Sequence, residues 1–191
     1  VMAQYADTLQ NIIARYDKSK IRGWIIDLSK NSGGNSFPML AGIRPVIGDG
    51  IAGYSVSPDS SWKTRIYRDG WTGWDSTLVF QKKQPVHLSR PGLAVAVIYG
   101  KLTGSSGEVT AINFIGLPFA RSFGENTAGA NTRIDNFKLS DGAWLNLAAG
   151  YNADRNKNIY TGSLVPDKAT DSYEQAMDEA GKWILGREEG E

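Results

Sequence analysis

The chain has no cysteine and a single histidine, His87. Without cysteine there is no disulfide framework and no thiolate metal site, and one imidazole cannot build a histidine-based metal cluster. Charge of one sign is also lacking. The formal net charge is +1 over 191 residues, which argues against binding driven by phosphate neutralisation on nucleic acid. No apolar run approaches the roughly 20 residues that span a bilayer, and there is no signal-peptide pattern at the start. What remains is ordinary for a globular domain: 41% hydrophobic and 21% charged residues, enough for one substantial core.

Periodicity divides the chain into alternating elements. Tyr5, Leu9, Ile12, Ile13 and Tyr16 recur at helical spacing, so residues 3–17 are expected to form an amphipathic helix. Gly23 to Leu28 is a short apolar run, expected to be a strand covered on both faces. Phe37-Pro38 opens a helix that should stop near Arg44-Pro45 or Gly48. Ile51 to Val56 reads as a strand. Trp62 to Phe80 is aromatic-rich and broken by Asp69-Gly70, a hairpin signal. Its aromatics either pack the hairpin against the domain or line a groove for an extended peptide, and packing explains most of them. Lys82 to Arg90 is a polar connection holding His87, which reads as a surface residue there.

Leu93 to Tyr99 is the strongest strand signal in the chain, and Val109 to Ile115 reads as a buried helix. Phe119 to Phe123 is expected at a strand edge, Ile134–Leu139 and Ala143–Ala149 as a hairpin, and Asp154 to Gly162 as a loop. Tyr173, Met177, Ala180 and Ile184 mark a final amphipathic helix, with residues 187–191 fraying. The pattern predicts an α/β fold: a mixed sheet with flanking helices and antiparallel hairpin excursions.

Three small-residue loops follow three of the predicted strands: Ser32-Gly33-Gly34, Gly104 to Gly107, and Gly124 to Gly129. In a parallel or mixed sheet such loops meet at one edge. One loop can then present a hydroxyl while backbone N–H groups of another hold an oxyanion. Taken alone, Ser105 and Ser106 read equally well as turn and cap residues. The paired glycines taken alone read as a tight turn.

The blocks Gly23-Trp24-Ile25-Ile26-Asp27-Leu28-Ser29-Lys30-Asn31-Ser32-Gly33-Gly34-Asn35, Thr103-Gly104-Ser105-Ser106-Gly107-Glu108 and Phe123-Gly124-Glu125-Asn126-Thr127-Ala128-Gly129 together resemble the S41 peptidases, the tail-specific and C-terminal processing proteases. They agree in order and spacing from about residue 20 to about residue 167. Within the family the serine block looks most like that of the nisin-resistance branch, Thr-Ala-Ser-Ser-Ala-Glu, with glycine here in place of both alanines. The resemblance implies a ClpP/crotonase-like core in a single catalytic domain over residues 1–191. That domain would lack its natural N-terminal portion and have no PDZ domain.

The same resemblance implies that Ser105 is the nucleophile. The N–H of Ser106 and one from Gly33 or Gly34 would form the oxyanion hole. Glu108 would orient the base or the nucleophile, unless it is only a helix-terminal carboxylate. Asn35, Thr127 and Gly129 would contact substrate. No cofactor and no metal is expected, and the partner is a peptide or protein. An extracytoplasmic home, secreted or tethered to a membrane through a missing N-terminal segment, follows from the resemblance alone; a cytoplasmic one is compatible with the composition.

Two departures from the family pattern matter. Ala130 stands where the Ser–Lys members carry lysine. The branch without that lysine takes a histidine from upstream of the first block, and this chain has none there. The base is therefore expected from outside the chain, the alternatives being an inactive protein or a loop that folds His87 over Ser105. Two other readings stand beside the peptidase: a non-catalytic peptide- or lipid-binding module on the same scaffold, and a crotonase-like acyl-binding protein.

Overall fold

A computed structural model describes residues 2–187 except Ser19, Lys82 and Lys83. The expected fraying of the C-terminus falls mostly on residues 188–191, outside the described residues. The chain opens with helix α1 (Met2–Tyr16), strand β1 (Gly23–Asp27) and helix α2 (Ser36–Ile47). An antiparallel run follows: β2 (Gly50–Val56), β3 (Trp62–Arg68), β4 (Trp71–Trp74) and β5 (Thr77–Gln81). Then come β6 (Ala94–Tyr99), α3 (Ser106–Ile112), β7 (Ala120–Gly124), β8 (Thr132–Lys138) and β9 (Trp144–Ala153). Two short strands, β10 (Ile159–Tyr160) and β11 (Lys168–Ala169), precede helix α4 (Tyr173–Gly186).

The α/β expectation holds, and the sheet separates into two. Strands β1-β6-β7-β11 form a parallel four-stranded sheet. The antiparallel sheet runs β10-β9-β2-β3-β4-β5, with β8 paired to β9. The central β6 is buried along its whole length. Its alternate side chains serve two cores, as a period of two requires. Val95, Val97 and Tyr99 pack with residues of α2 and α3, and Ala94, Ala96 and Ile98 pack against Ala176, Ala180 and Ile184 of α4.

Strand β1 corrects one expectation: it is not covered on both faces. It pairs only with β6 at the sheet edge, and Ile25 and Asp27 are exposed. Conversely β7, expected at an edge, lies between β6 and β11. The Asp69-Gly70 turn joins β3 to β4 with positive φ at both residues, 41° and 79°, the form that matches strand twist.

Helix α2 runs through Pro45 and stops at Gly48 (φ 86°). Proline lacks the N–H that would bond the carbonyl four residues back, that of Ala41. The buried Gln10 of α1 supplies the missing donor: its Nε2 donates to Ala41 O at 2.7 Å, and its Oε1 accepts from Val86 N at 2.9 Å. Gly42 lets α1 lie close, since a Cβ there would sit 2.6 Å from Leu9 Cδ1. One end of α2 is thereby fixed, and the other end, capped by Asn35, borders the site described next.

Candidate active site

Because β1, β6 and β7 are parallel neighbours, the loops that follow them emerge at one sheet edge, as expected. They are laced together by hydrogen bonds. Thr103 Oγ1 donates to Leu28 O at 2.7 Å and accepts from Gly100 N at 3.0 Å. Gly104 N donates to Asn31 O at 3.0 Å, and Ala128 N to Thr103 O at 2.9 Å. Gly107 must be glycine here, because a Cβ would stand 2.3 Å from Asn31 O.

Ser105 sits at the turn from β6 into α3 with φ 51° and ψ −119°. That region suits glycine, and holding an L-residue in it costs roughly 1–3 kcal/mol. Gly33 packs directly against it: a Cβ on Gly33 would lie 2.9 Å from Ser105 Cβ. The strain has an identifiable restraint. Ser105 N donates to Glu108 Oε2 at 3.0 Å.

Glu108 is fully buried and accepts three further bonds. Thr127 Oγ1 donates to its Oε1 at 2.5 Å, Gly129 N to Oε1 at 2.8 Å, and Ala130 N to Oε2 at 2.8 Å. One carboxylate thus ties the serine turn to the loop after β7. Four donors saturate its acceptor positions. Thr127 is also committed on its other side, accepting from Leu164 N at 2.8 Å. Thr127 and Gly129 therefore lie behind the serine, holding Glu108, and neither lines the cleft in front of it.

Of the two glycines weighed for the oxyanion hole, Gly33 has its N–H engaged by Asn31 Oδ1 at 3.1 Å. The N–H groups of Gly34 and Ser106 have no acceptor among the described residues. Ser106 Oγ donates to Gly34 O at 2.7 Å, which pins the glycine loop to the start of α3. Asn35 does border the cleft. Its side chain is occupied, however, with Oδ1 accepting from Phe37 N at 3.0 Å as the cap of α2 and Nδ2 3.2 Å from Met2 Sδ.

The cleft over Ser105 encloses about 540 Å³. One wall is the loop of Gly34 and Asn35, and another is β8 from Thr132 to Asn136. The remaining wall comes from β3, β4 and β9 of the sheet to which β8 also belongs: Lys63, Arg65, Trp74 and Asn152. Apart from the aromatics of Trp62 to Phe80, the residues of this wall carry no local sequence motif. A signal was present, since Lys63, Arg65 and Tyr67 alternate along one strand and so share a face. Trp74 stacks edge-on with Phe37 at 5.9 Å, and the Arg65 guanidinium lies 4.6 Å from the Trp74 ring centroid. Burial pushes the pKa of Arg65 down to about 10.

His87 is not in this cleft. It is exposed, with Nε2 3.7 Å from Asp69 Oδ1 beside the β3–β4 turn, in keeping with a surface role.

A serine on a strained strand-to-helix turn, lining one cleft with Gly34 and Ser106, has a layout that serine hydrolases use to expose a nucleophile. The chain belongs to peptidase family S41, whose family model matches residues 2–169. It is 31% identical over 185 residues to a nisin-resistance protein of Lactococcus lactis subsp. lactis, covering 95% of this chain and 55% of that protein. A lipoprotein from Streptococcus agalactiae has a solved structure that superposes with a TM-score of 0.77 at 30% identity, covering 98% of this chain and 61% of the other. The photosystem II D1 C-terminal processing protease shares the fold at a TM-score of 0.66 and 16% identity, over 88% of this chain and 39% of its own. The chain thus spans little more than half the length of the two relatives near 30% identity.

Proposed function

We propose that this chain is the catalytic core of a serine endopeptidase that cuts peptides near their C-terminus. Ser105 Oγ attacks the scissile carbonyl and loses its proton to a base. The oxyanion rests on the N–H groups of Gly34 and Ser106. Collapse expels the amine, which takes the proton from the base, and water then releases the acyl group from Ser105. The observation that carries this reading is the backbone of Ser105, held at φ 51° and ψ −119° beside those two free donors. Such strain needs a reason, and exposure of a nucleophile supplies one.

The base is a histidine contributed from outside this sequence. The cleft lining holds none, and Ala130, at the family's lysine position, uses its N–H to hold Glu108. By analogy with a nisin-resistance protein and a lipoprotein, we place the protein outside the cytoplasm, secreted or anchored to the membrane. No helix among the described residues is long and apolar enough to cross a membrane.

The absence of a histidine from the cleft also favours a second reading, a binding module without turnover. Peptide hydrolysis separates the two. A protein that joins this chain to the additional segments its relatives carry should cleave peptides and lose that activity in Ser105→Ala. The 191-residue chain alone should be slower by at least about a thousandfold. Binding without turnover in every form would establish the module instead, and robust turnover by the 191-residue chain would place the base within it.

A further inference from the structure

The wall of the cleft opposite the serine turn carries an unbalanced charge. Arg65 is 2% exposed, yet no carboxylate among the described residues accepts from it. Only its Nη2 is satisfied, donating to Asn152 Oδ1 at 2.9 Å. Its Nε and Nη1 are buried without partners. A buried guanidinium normally meets an anion or a full set of acceptors, because water has been taken from it.

The deficit extends over the same sheet face. Ser55 Oγ, Tyr67 OH and Thr72 Oγ1 are also buried and unpaired. The register pairs Ser55 with Lys63, Arg65 with both Gly53 and Trp74, and Tyr67 with Thr72, so these side chains project together. The charged residues of the cleft are three cations, Lys63, Arg65 and Arg133, and one carboxylate, Asp135. Asp135 is already paired with Arg133 Nη2 at 3.3 Å.

We propose that this wall is a carboxylate subsite, in which Arg65, seconded by Lys63, receives a carboxylate of the peptide that lies across Ser105. The proposal deepens the peptidase reading and rests on its assignment of the cleft to peptide. The planar guanidinium offers the paired donors that a carboxylate takes. Stacking on Trp74 supports its plane while leaving its edge to a ligand. One carboxylate takes Nη2 together with either Nε or Nη1, and because both of those atoms are buried its engagement requires a shift of the Arg65 side chain. The carboxylate is either the C-terminus of the peptide or an Asp or Glu side chain.

Binding to Ser105→Ala protein, followed by fluorescence anisotropy, tests this without turnover. One peptide without acidic side chains is compared as its C-terminal acid and its C-terminal amide, together with amidated versions carrying one Glu at successive positions. The subsite predicts that the acid, or one Glu-bearing amide, binds at least about tenfold more tightly than the plain amide. The peptide that gains identifies the source of the carboxylate. Adding Arg65→Met should bring all versions to within about twofold. Equal binding of acid, amide and every Glu-bearing amide would overturn the subsite while leaving the peptide cleft intact. A preference that survives in folded Arg65→Met protein would overturn the role of Arg65. No binding by any peptide would remove the cleft assignment and the subsite with it. The comparison of peptides on protein retaining Arg65 decides even where the Arg65 variant does not fold.

Discussion

Around Ser105 the buried polar groups are paired: Glu108 has four donors, Thr103 bridges two strands' loops, and Thr127 is bonded on both sides. Across the cleft, on the face of β2, β3 and β4, Ser55, Arg65, Tyr67 and Thr72 leave buried atoms unpaired. Ser105 and Arg65 border one cavity, while Ser55, Tyr67 and Thr72 lie on the same sheet face outside its lining. The two neighbourhoods differ in what completes them. The first is completed by its own backbone, and the result is a fixed and strained serine. The second is not completed by the fold, and at Arg65 it adjoins the cleft. Internal satisfaction gives geometry, and unsatisfied donors give recognition.

Breaking the first neighbourhood should have the larger effect. Glu108→Ala strands three backbone N–H groups and the Thr127 hydroxyl, at roughly 1–3 kcal/mol for each buried group left unpaired. Some will find water, so the expected loss is about 4 kcal/mol, read as a lower urea midpoint at unchanged m. Ser105 reactivity should fall as well, because the bond that restrains its φ is gone. A stability change within about 1 kcal/mol would show that the carboxylate is not the link between the two loops.

Breaking the second should have a smaller effect of opposite sign. Arg65→Met removes a desolvated, uncompensated charge, and such replacements are neutral or stabilising. The loss of the bond to Asn152 and of the Trp74 contact offsets part of this, leaving a gain of about 1 kcal/mol. The pH dependence fixes the sign. Burial lowers the pKa of Arg65 in the folded protein to about 10, so above about pH 10 the unfolded chain binds more protons and stability rises with pH. The advantage of Arg65→Met should be complete below pH 10 and narrow above it, read as the difference in Tm at pH 7 and pH 10.5. A destabilised variant with a pH-independent difference would mean that Arg65 is fully compensated in the fold.

The contrast also explains what could be read in advance. Ser105, Glu108 and the glycine loops lie in contiguous blocks, and strands β1, β6 and β7 announce themselves as apolar runs, so their convergence on one edge follows from chain order and parallel pairing. The hairpin at Asp69-Gly70 is legible for the same local reason. That Gly33 rather than Gly34 has its N–H engaged is not legible in the sequence, because it depends on where the Asn31 side chain turns. Glu108 could be placed near Ser105 by helical spacing, but its bonds to Thr127, Gly129 and Ala130 span about twenty residues of sequence and have no local signature. Arg65 was invisible as a site residue, since it lies on a strand of the other sheet and its significance is a missing partner. The exposure of β1 at the sheet edge is likewise a property of strand order that its composition does not contain.

The central claim is that the turn between β6 and α3 exists to present Ser105 as a nucleophile. Its most direct test is to treat a protein that joins this chain to the additional segments its relatives carry with a fluorophosphonate and to map the adduct by mass spectrometry. A single adduct on Ser105, absent from Ser105→Ala and slow to form on the 191-residue chain alone, is the expected result. A well-folded sample that carries no adduct, or carries it on another residue, would contradict the claim.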